Sequence, residues 1–564
     1  VRDGILCLHG IPLPADHVSG ALSGRILGLL LIMGFMQKSS IAGATRWIPP
    51  FVVGLLLRVA VVFRLDVEPG DWVSRTLYAA DFLAGTKPLW ASTPWPEGNF
   101  LLPAVVLAVG GDAFWSVRLL YALLSALAIP AVFCLSREVT DEQAAPYAAW
   151  ALAFLPFHIF VSANGAMTEG VFITCILVAI YAALRWRRQP DRSVWLLVSG
   201  LCIVGAEAFR FEGVLVGACL GLLALWTRLP DGRSVLRSVP AAATLTLFGV
   251  ICLLYPLSLL WSWNDMFGDP MYMAKYANAN TLQFFEGDGH SRWPTWFYFT
   301  YSVAFWPMAG PAYVLTPVIW ILALRGAAKA PRQRSLFVLL PVVVLTIFYL
   351  RSVLSYQLLN QMRYIAPLAV PLLPFVAHGF RTLAERWRRP VLLAAAASFV
   401  ATQGLTIESA YHDRGVLSRQ LGVFSLLKPF QYSAKDALES LQKPSTREGV
   451  IVVTPHVVST WLRLNGGPDV LSNRLRSPSI YRLDDPNAVY TSMEYKEFLG
   501  QQIDSARFVA VSKSARTVGL KDGLVKEVVT PSRDVDRILT WNGRRFREHG
   551  VFGDIVVLER VPNL

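Results

Sequence analysis

Apolar residues fall in long runs along the first 406 positions and in short ones beyond. Runs able to form one helix each stand at 47–64, 114–136, 143–161, 170–186, 194–210, 213–228, 239–261, 296–324, 335–351, 364–381 and 390–406. A helix rises 1.5 Å per residue and the hydrocarbon core is about 30 Å thick, so about 20 mainly apolar residues cross it. The pattern predicts a mainly α, polytopic membrane protein with about eleven transmembrane helices. The run at 296–324 exceeds one crossing and contains Pro307, Pro311 and Pro317. It reads as a kinked helix or as a surface helix followed by a span, and the second choice makes about twelve.

After Leu405 charges return and apolar runs shrink to strand length. Gly449–Thr454, Arg507–Ser512 and Asp554–Glu559 read as buried strands, with a helical pattern at Ser433–Gln442 between them. Residues 407–564 are therefore expected to form a small α/β domain outside the membrane, and residues 46–406 the transmembrane domain. The Gly466-Gly467 pair belongs to no GxGxxG pattern, so no nucleotide site is assigned. Within residues 1–45 the apolar stretch Ile26–Met36 is below spanning length. It reads as a signal peptide or as a non-functional extension, and the second is preferred. A cleaved signal leaves the inside-first topology of the next helix unexplained, whereas Met33 or Met36, followed by Lys38 and Arg46, makes a natural start.

Composition narrows the class. Of 564 residues 54% are hydrophobic and 16% charged, against about 25% charged in a soluble domain. This excludes a disordered chain and argues against a soluble enzyme. The net charge of +13 does not imply nucleic acid, because the basic residues collect at the ends of the apolar runs. Arg185, Arg187, Arg188 and Arg192 form one cluster, Arg228, Arg233 and Arg237 a second, Arg325, Lys329, Arg332 and Arg334 a third, and Arg381, Arg386, Arg388 and Arg389 a fourth. Alternation puts all four on one side, which short basic loops mark as cytoplasmic. The N-terminus is then cytoplasmic, and the acidic or mixed loops 65–113 and 262–293 and the C-terminal domain face outward from a plasma (inner) membrane. The loop Arg137–Glu142 should lie inside yet is not basic. The cysteines other than Cys7 sit inside apolar runs without metal-ligand spacing, so buried packing is expected of them.

The candidate chemistry lies in the first outer loop. Pro69-Gly70 makes a turn, and Asp71 then caps an amphipathic helix through Arg75, Tyr78 and Ala79 to Gly85. Asp71 reads as a helix cap or as a carboxylate placed for function at the rim of the bundle. Further on stand Trp95-Pro96, Gly110-Gly111 with Arg118-Leu119, Thr168-Glu169, Arg210-Phe-Glu-Gly213, Phe267-Gly-Asp-Pro270 with Tyr272, and Arg363-Tyr-Ile-Ala-Pro367. In order, side and spacing these segments resemble the GT-C glycosyltransferases of the protein O-mannosyltransferase and aminoarabinose transferase type (glycosyltransferase family 39-like). The resemblance covers residues 47–406. It departs from the family pattern at Asp71, where Trp72 follows instead of a second acidic residue; Asp66 and Glu68 are the substitutes at hand.

The resemblance implies a polyprenyl-phosphate-linked sugar as donor, and a hexose such as mannose as the sugar. It implies Asp71 as general base for an acceptor hydroxyl, with inversion at the anomeric carbon. The acceptor is a protein, a lipid-linked glycan or a cell-envelope polysaccharide. Arginines at the outer ends of spans, Arg210, Arg292, Arg351 and Arg363, suit the phosphate because a guanidinium stays charged and bonds it bidentately; alternatively they snorkel to headgroups. Glu169 serves as a proton relay or as an acceptor for the loop backbone, and Arg75 lies in the same outer site. His290 touches sugar or metal, or is a solvated loop histidine. Glu207, one turn before Arg210, is expected to pair with it. No cofactor is assigned, and a divalent cation stays open. Two readings compete: a lipid or solute transporter (flippase), disfavoured because the candidate residues gather at one face and no repeat is found, and a non-catalytic membrane subunit presenting the C-terminal domain.

Overall fold

The computed structural model describes residues 7–8, 11–12, 45–64, 71–83, 96–111, 115–163, 168–226, 234–271, 275, 295–355, 362–412, 450–452, 507–512, 538–541, 544–552 and 555–561. A minimal antiparallel pair, β1 (Cys7–Leu8) and β2 (Ile11–Pro12), comes first. The helical region follows with α1 (Ile48–Arg64), α2 (Asp71–Leu83), α3 (Gly98–Ala108), α4 (Trp115–Ala126), α5 (Ala128–Val139), α6 (Ala145–Ala153), α7 (Pro156–Ala163), α8 (Thr168–Arg188), α9 (Val194–Glu207), α10 (Gly213–Leu225) and α11 (Val239–Phe267). Then come α12 (Thr295–Ala304), a π-helical segment Phe305–Ala309, α13 (Gly310–Leu315), α14 (Pro317–Lys329), α15 (Arg332–Leu354), α16 (Ala366–Ala369), α17 (Leu373–Arg381) and α18 (Glu385–His412).

Among the described residues each of the eleven apolar runs falls largely on helix. Among the described residues five helical stretches are by themselves long and apolar enough to cross a membrane: Thr45–Phe63, Trp115–Val139, Thr168–Arg188, Val239–Asp265 and Arg332–Leu354. Two bent pairs raise this to seven, while α3, α9 and α10 are shorter apolar helices. Leu56, Leu222, Ile321 and Leu393 are 61–70% exposed, the surface expected of helices facing hydrocarbon rather than water. The core inside is made of Phe133, Phe172, Trp186, Trp306 and Phe375, and of alanines such as Ala148, Ala149 and Ala183 that let helices approach closely.

Proline sets both bends. The run at 143–161 turns by 56° between α6 and α7. Pro156, first residue of α7, has no N–H to give the Leu152 carbonyl four residues back. That carbonyl instead accepts from Leu155 N at 3.3 Å and from Arg58 Nη2 at 3.3 Å. Arg58 is fully buried, and its other donors reach Gly54 O at 2.7 Å, His158 Nδ1 at 2.7 Å and Ser162 Oγ at 3.4 Å. The run at 296–324 resolves into two pieces meeting at 113°. Thr316, between them, has φ +70°, a left-handed backbone that costs a β-branched residue energy, and Pro317 starts α14. Similarly, Pro367, Pro371 and Pro374 divide the run at 364–381 into α16, a 3₁₀ turn at Val370–Leu372 and α17.

Helices α14 and α17 touch backbone to backbone. A Cβ on Gly326 would lie 1.8 Å from Phe375 O, and one on Gly379 would lie 2.1 Å from Leu322 O. Gly326→Ala is therefore expected to destabilise the helical region by about 3 kcal/mol or more, read as a lower thermal midpoint in detergent. An unchanged midpoint would mean that the two backbones are not in contact.

The non-basic loop Arg137–Glu142 lies beside described arginines of the first and fourth basic clusters and supplies counter-charges to them. Glu138 pairs with Arg188 Nη1 at 2.8 Å and Arg185 Nη1 at 3.2 Å. Asp141 receives Arg381 and His378 from the end of α17 and caps Ala144 N at 2.8 Å.

Toward the C-terminus the described residues form one five-stranded sheet. Its strands are β3 (Val450–Val452), β4 (Phe508–Ser512), β5 (Ile538–Trp541), β6 (Arg544–Phe552) and β7 (Ile555–Arg560), in the order β3-β4-β7-β6-β5. The β3–β4 pair is parallel and the others antiparallel. Three of these strands are the ones expected, and β5 and β6 are additional. The helix expected at Ser433–Gln442 lies outside the described residues.

Candidate active site

The site is built where α8 begins. Glu169 stands in its first turn, where the helix dipole favours a carboxylate, and its side chain is 3% exposed. Arg210 comes from the short connection between α9 and α10. Its N–H reaches Ala206 O at 2.8 Å, its carbonyl accepts from Gly213 N at 3.0 Å, and a Cβ on Gly213 would lie 2.7 Å from Glu207 N. This tight turn aims Arg210 inward. Its Nη1 donates to Glu169 Oε1 at 2.7 Å and its Nη2 to Glu212 Oε1 at 2.6 Å. The Arg210 side chain is 9% exposed, so it does not snorkel.

Arg363, in the 3₁₀ turn Met362–Tyr364, brings Nε within 3.9 Å of Glu169 Oε1 and donates from Nη2 to Tyr364 Oη at 3.0 Å. Both guanidiniums pack on the Tyr364 ring, Arg210 at 4.6 Å and Arg363 at 4.9 Å from its centroid. From Tyr364 an aromatic row continues to Tyr349 at 6.0 Å and on to Trp306, stacked at 5.0 Å. Trp306 belongs to the π-helical segment, an irregularity common at functional sites. Glu169 Oε2 and Tyr349 Oη are buried without a hydrogen-bond partner among the described residues.

The helix that Asp71 opens is tied to this cluster through α3. Tyr78 of α2 packs on Phe100 of α3 with centroids 4.5 Å apart. At the start of α3, Gly98 N donates to Ala208 O at 2.7 Å and Asn99 Nδ2 to Phe209 O at 3.2 Å, both in the connection that holds Arg210. A Cβ on Gly98 would come 2.4 Å from Ala208 O, so glycine is required for this approach. Arg75 is buried on α2 and within electrostatic reach of Tyr121, whose ring meets Phe209. Asp71 is the first residue of α2 and its side chain lies outside the described residues, as do Asp66, Glu68, His290, Arg292 and Tyr272. Of the predicted residues, Glu169, Arg210 and Arg363 are brought together, and Arg351 is exposed at the end of α15.

One expectation is corrected. Glu207 does not pair with Arg210, because the chain turns at Ala208–Glu212 and sends Arg210 to Glu169 and Glu212. Glu169 Oε1 accepts from the Arg210 guanidinium. Glu207 is fully buried, with neither carboxyl oxygen hydrogen-bonded among the described residues. Glu207→Met is therefore expected to raise the thermal midpoint, since a buried polar group without a partner costs about 1–3 kcal/mol; a lower midpoint would show that the carboxyl contributes to the fold.

Glu212 and Tyr364 were missed as partners although each sits inside a recognised segment. Tyr349 carried no signal, being one aromatic inside an apolar run. In the second outer loop Asp269 accepts from Lys275 Nζ at 2.5 Å and from Met271 N at 2.9 Å, and these bonds hold its carboxyl below the usual range. No group of three or more His, Cys, Asp or Glu side chains able to hold a metal occurs among the described residues.

This chain shares its fold, an apolar helical bundle followed by a C-terminal sheet, with solved structures of ArnT. In sequence it resembles the branch of protein O-mannosyltransferases and aminoarabinose transferases. Residues 96–261 match the family described as dolichyl-phosphate-mannose-protein mannosyltransferase. Over 342 residues, 57% of this chain and 54% of the relative, it is 23% identical to undecaprenyl phosphate-alpha-4-amino-4-deoxy-L-arabinose arabinosyl transferase 2 of Pseudomonas fluorescens. The match thus spans about half the length of that relative. The crystal structure of ArnT from Cupriavidus metallidurans in the apo state superposes with TM-score 0.54 at 17% identity, covering 91% of this chain and 98% of that one. The undecaprenyl phosphate-bound structure of the same protein gives 0.54 at 17%, covering 92% and 99%.

Proposed function

We propose that this protein transfers a hexose, mannose-like, from a polyprenyl-phosphate donor to an acceptor hydroxyl at the outer face of the membrane. The reading rests on one observation above all: a buried guanidinium, Arg210, and a half-buried one, Arg363, held by Glu169 beside an aromatic row and joined through α3 to the helix that Asp71 opens. A polyprenyl tail belongs in hydrocarbon while its phosphate and sugar belong at the interface. A site for it needs cations at a span end next to apolar walls, and this cluster supplies them.

The reaction is a single in-line displacement. Asp71 takes the proton of the acceptor hydroxyl as its oxygen attacks the anomeric carbon, the bond from that carbon to the phosphate oxygen breaks, and polyprenyl phosphate leaves. One displacement inverts configuration. Phosphate leaves readily, so no strong acid is needed. Arg210 and Arg363 stabilise the charge that grows on it, with donors already oriented by Glu169 and Tyr364. Arg75 is assigned to the donor side from α2, and Arg292 and His290 to the second outer loop. The acceptor is a protein, a lipid-linked glycan or a polysaccharide.

Incubating the purified chain with a radiolabelled polyprenyl-phosphate hexose and membrane extract tests this reading. Label is expected to move to an acceptor that survives mild acid. Movement of intact donor between leaflets without transfer would favour the transporter instead.

A further inference from the structure

Arg58 and His158, at the first bend, touch none of the reacting groups, yet a short chain of contacts leads from them to Glu169. Arg58 lies inside the stretch Thr45–Phe63 and is fully buried. Its hydrogen bonds go to neutral acceptors: Gly54 O on its own helix, Leu152 O on α6, and His158 Nδ1 and Ser162 Oγ on α7. An ionisable residue inside a span is costly and marks function. Catching the Leu152 carbonyl that Pro156 frees needs a single donor, which a serine or a water can supply. The bonds to His158 and Ser162 go further and fix α7 itself. Arginine only donates, so His158 Nδ1 accepts and the ring proton sits on Nε2.

Ser162 carries this restraint to the candidate site. It stands one turn beyond His158, is 1% exposed and donates to His158 O at 2.6 Å. Gly170, in the first turn of α8, faces it: a Cβ there would lie 3.4 Å from Ser162 Oγ and 2.2 Å from Ser125 Oγ. The start of α8 thus rests directly on α7 and α4. Thr174 keeps it there by donating to Leu124 O at 3.0 Å, and Arg118 of α4 holds the last residue of α7 by donating to Ala163 O at 3.2 Å. The residue before Gly170 is Glu169, which orients Arg210.

We propose that Arg58, acting through His158 and Ser162, is a positioning residue for Glu169. It fixes α7, α7 seats the first turn of α8, and that turn sets where Glu169 meets Arg210 and Arg363. The consequence for catalysis rests on the transferase reading, in which those arginines hold the donor phosphate and must be oriented beforehand.

Asparagine puts Oδ1 where imidazole has Nδ1, so His158→Asn keeps an acceptor for Arg58 while His158→Leu removes it. Full-length His158→Asn, His158→Leu, Arg58→Met and Gly326→Ala are compared with the parent in detergent by thermal midpoint and by affinity for undecaprenyl phosphate. Misplacing a positioned group by 1 Å can cost about 10²-fold, so His158→Leu and Arg58→Met are expected to weaken binding by about 10-fold or more. His158→Asn should stay within about threefold of the parent. Gly326→Ala, a change in the seam between α14 and α17, should lose midpoint and keep its affinity. Parental affinity in folded His158→Leu overturns the proposal, and so does an equal loss in Gly326→Ala, which would make the effect one of general stability.

A second measurement needs no donor. Changes that share a support couple, whereas distant ones with no shared partner add. The midpoint losses of His158→Leu and Glu169→Gln are therefore expected to be non-additive, and additive losses overturn the positioning. Non-additive losses in a chain whose parent binds no undecaprenyl phosphate uphold the positioning of Glu169 and overturn the donor reading instead.

Discussion

Asp71→Asn is expected to lower the rate of sugar transfer by about 10² to 10⁴-fold while donor affinity stays unchanged, because a general base contributes about that factor. Asparagine keeps the size of the side chain and starts a helix as well as aspartate does, so α2 should still form and still dock on α3 through Tyr78 and Phe100. What is lost is the basic carboxylate that takes the proton, since an amide oxygen accepts hydrogen bonds but is not a base. A purely structural aspartate would behave differently: its charge at a helix start contributes about 0.3–1 kcal/mol, and the variant would lose a little stability and almost no rate. Rate and thermal midpoint measured on one preparation separate the two. Transfer at the parental rate would remove Asp71 as base and turn attention to Asp66 and Glu68.

The second large effect concerns Arg210. Its guanidinium joins Glu169 and Glu212, all three side chains being at most 12% exposed. Arg210→Gln leaves two carboxylates facing each other away from water, and breaking a buried ion pair by removing one partner costs about 3–5 kcal/mol. A lower thermal midpoint in detergent is expected together with lost donor binding. Adding Glu169→Gln should recover much of the stability by removing one stranded charge, but not the binding, because the cation is still missing. A double variant no more stable than the single one would mean that Glu169 and Arg210 are not coupled.

How far these features could be read in advance differs by element. Apolar runs located the helices because hydrocarbon demands length and hydrophobicity, which a linear pattern carries. The bends at Phe154–Leu155 and Thr316 depend on prolines whose effect is settled by what catches the freed carbonyl, and Arg58 lies about a hundred positions from Leu152. Segments such as Thr168-Glu169 and Arg363-Tyr364 pointed to residues that the structure brings close together. That Arg210 would join Glu169 and abandon Glu207 hung on the turn between α9 and α10. On the C-terminal side β5 and β6 went unread although Asn542-Gly543 separates them, a dipeptide typical of hairpins. The charges of Arg544, Arg545, Arg547 and Glu548 hid the strand character of β6.

The bare contact of Gly326 with Phe375, and of Gly379 with Leu322, has a bearing on traffic. Where two helices meet with no side chain between them, the wall is sealed to anything as thick as an isoprenoid. On the proposed reading, a carrier lipid heading for Arg210 would have to enter by another flank.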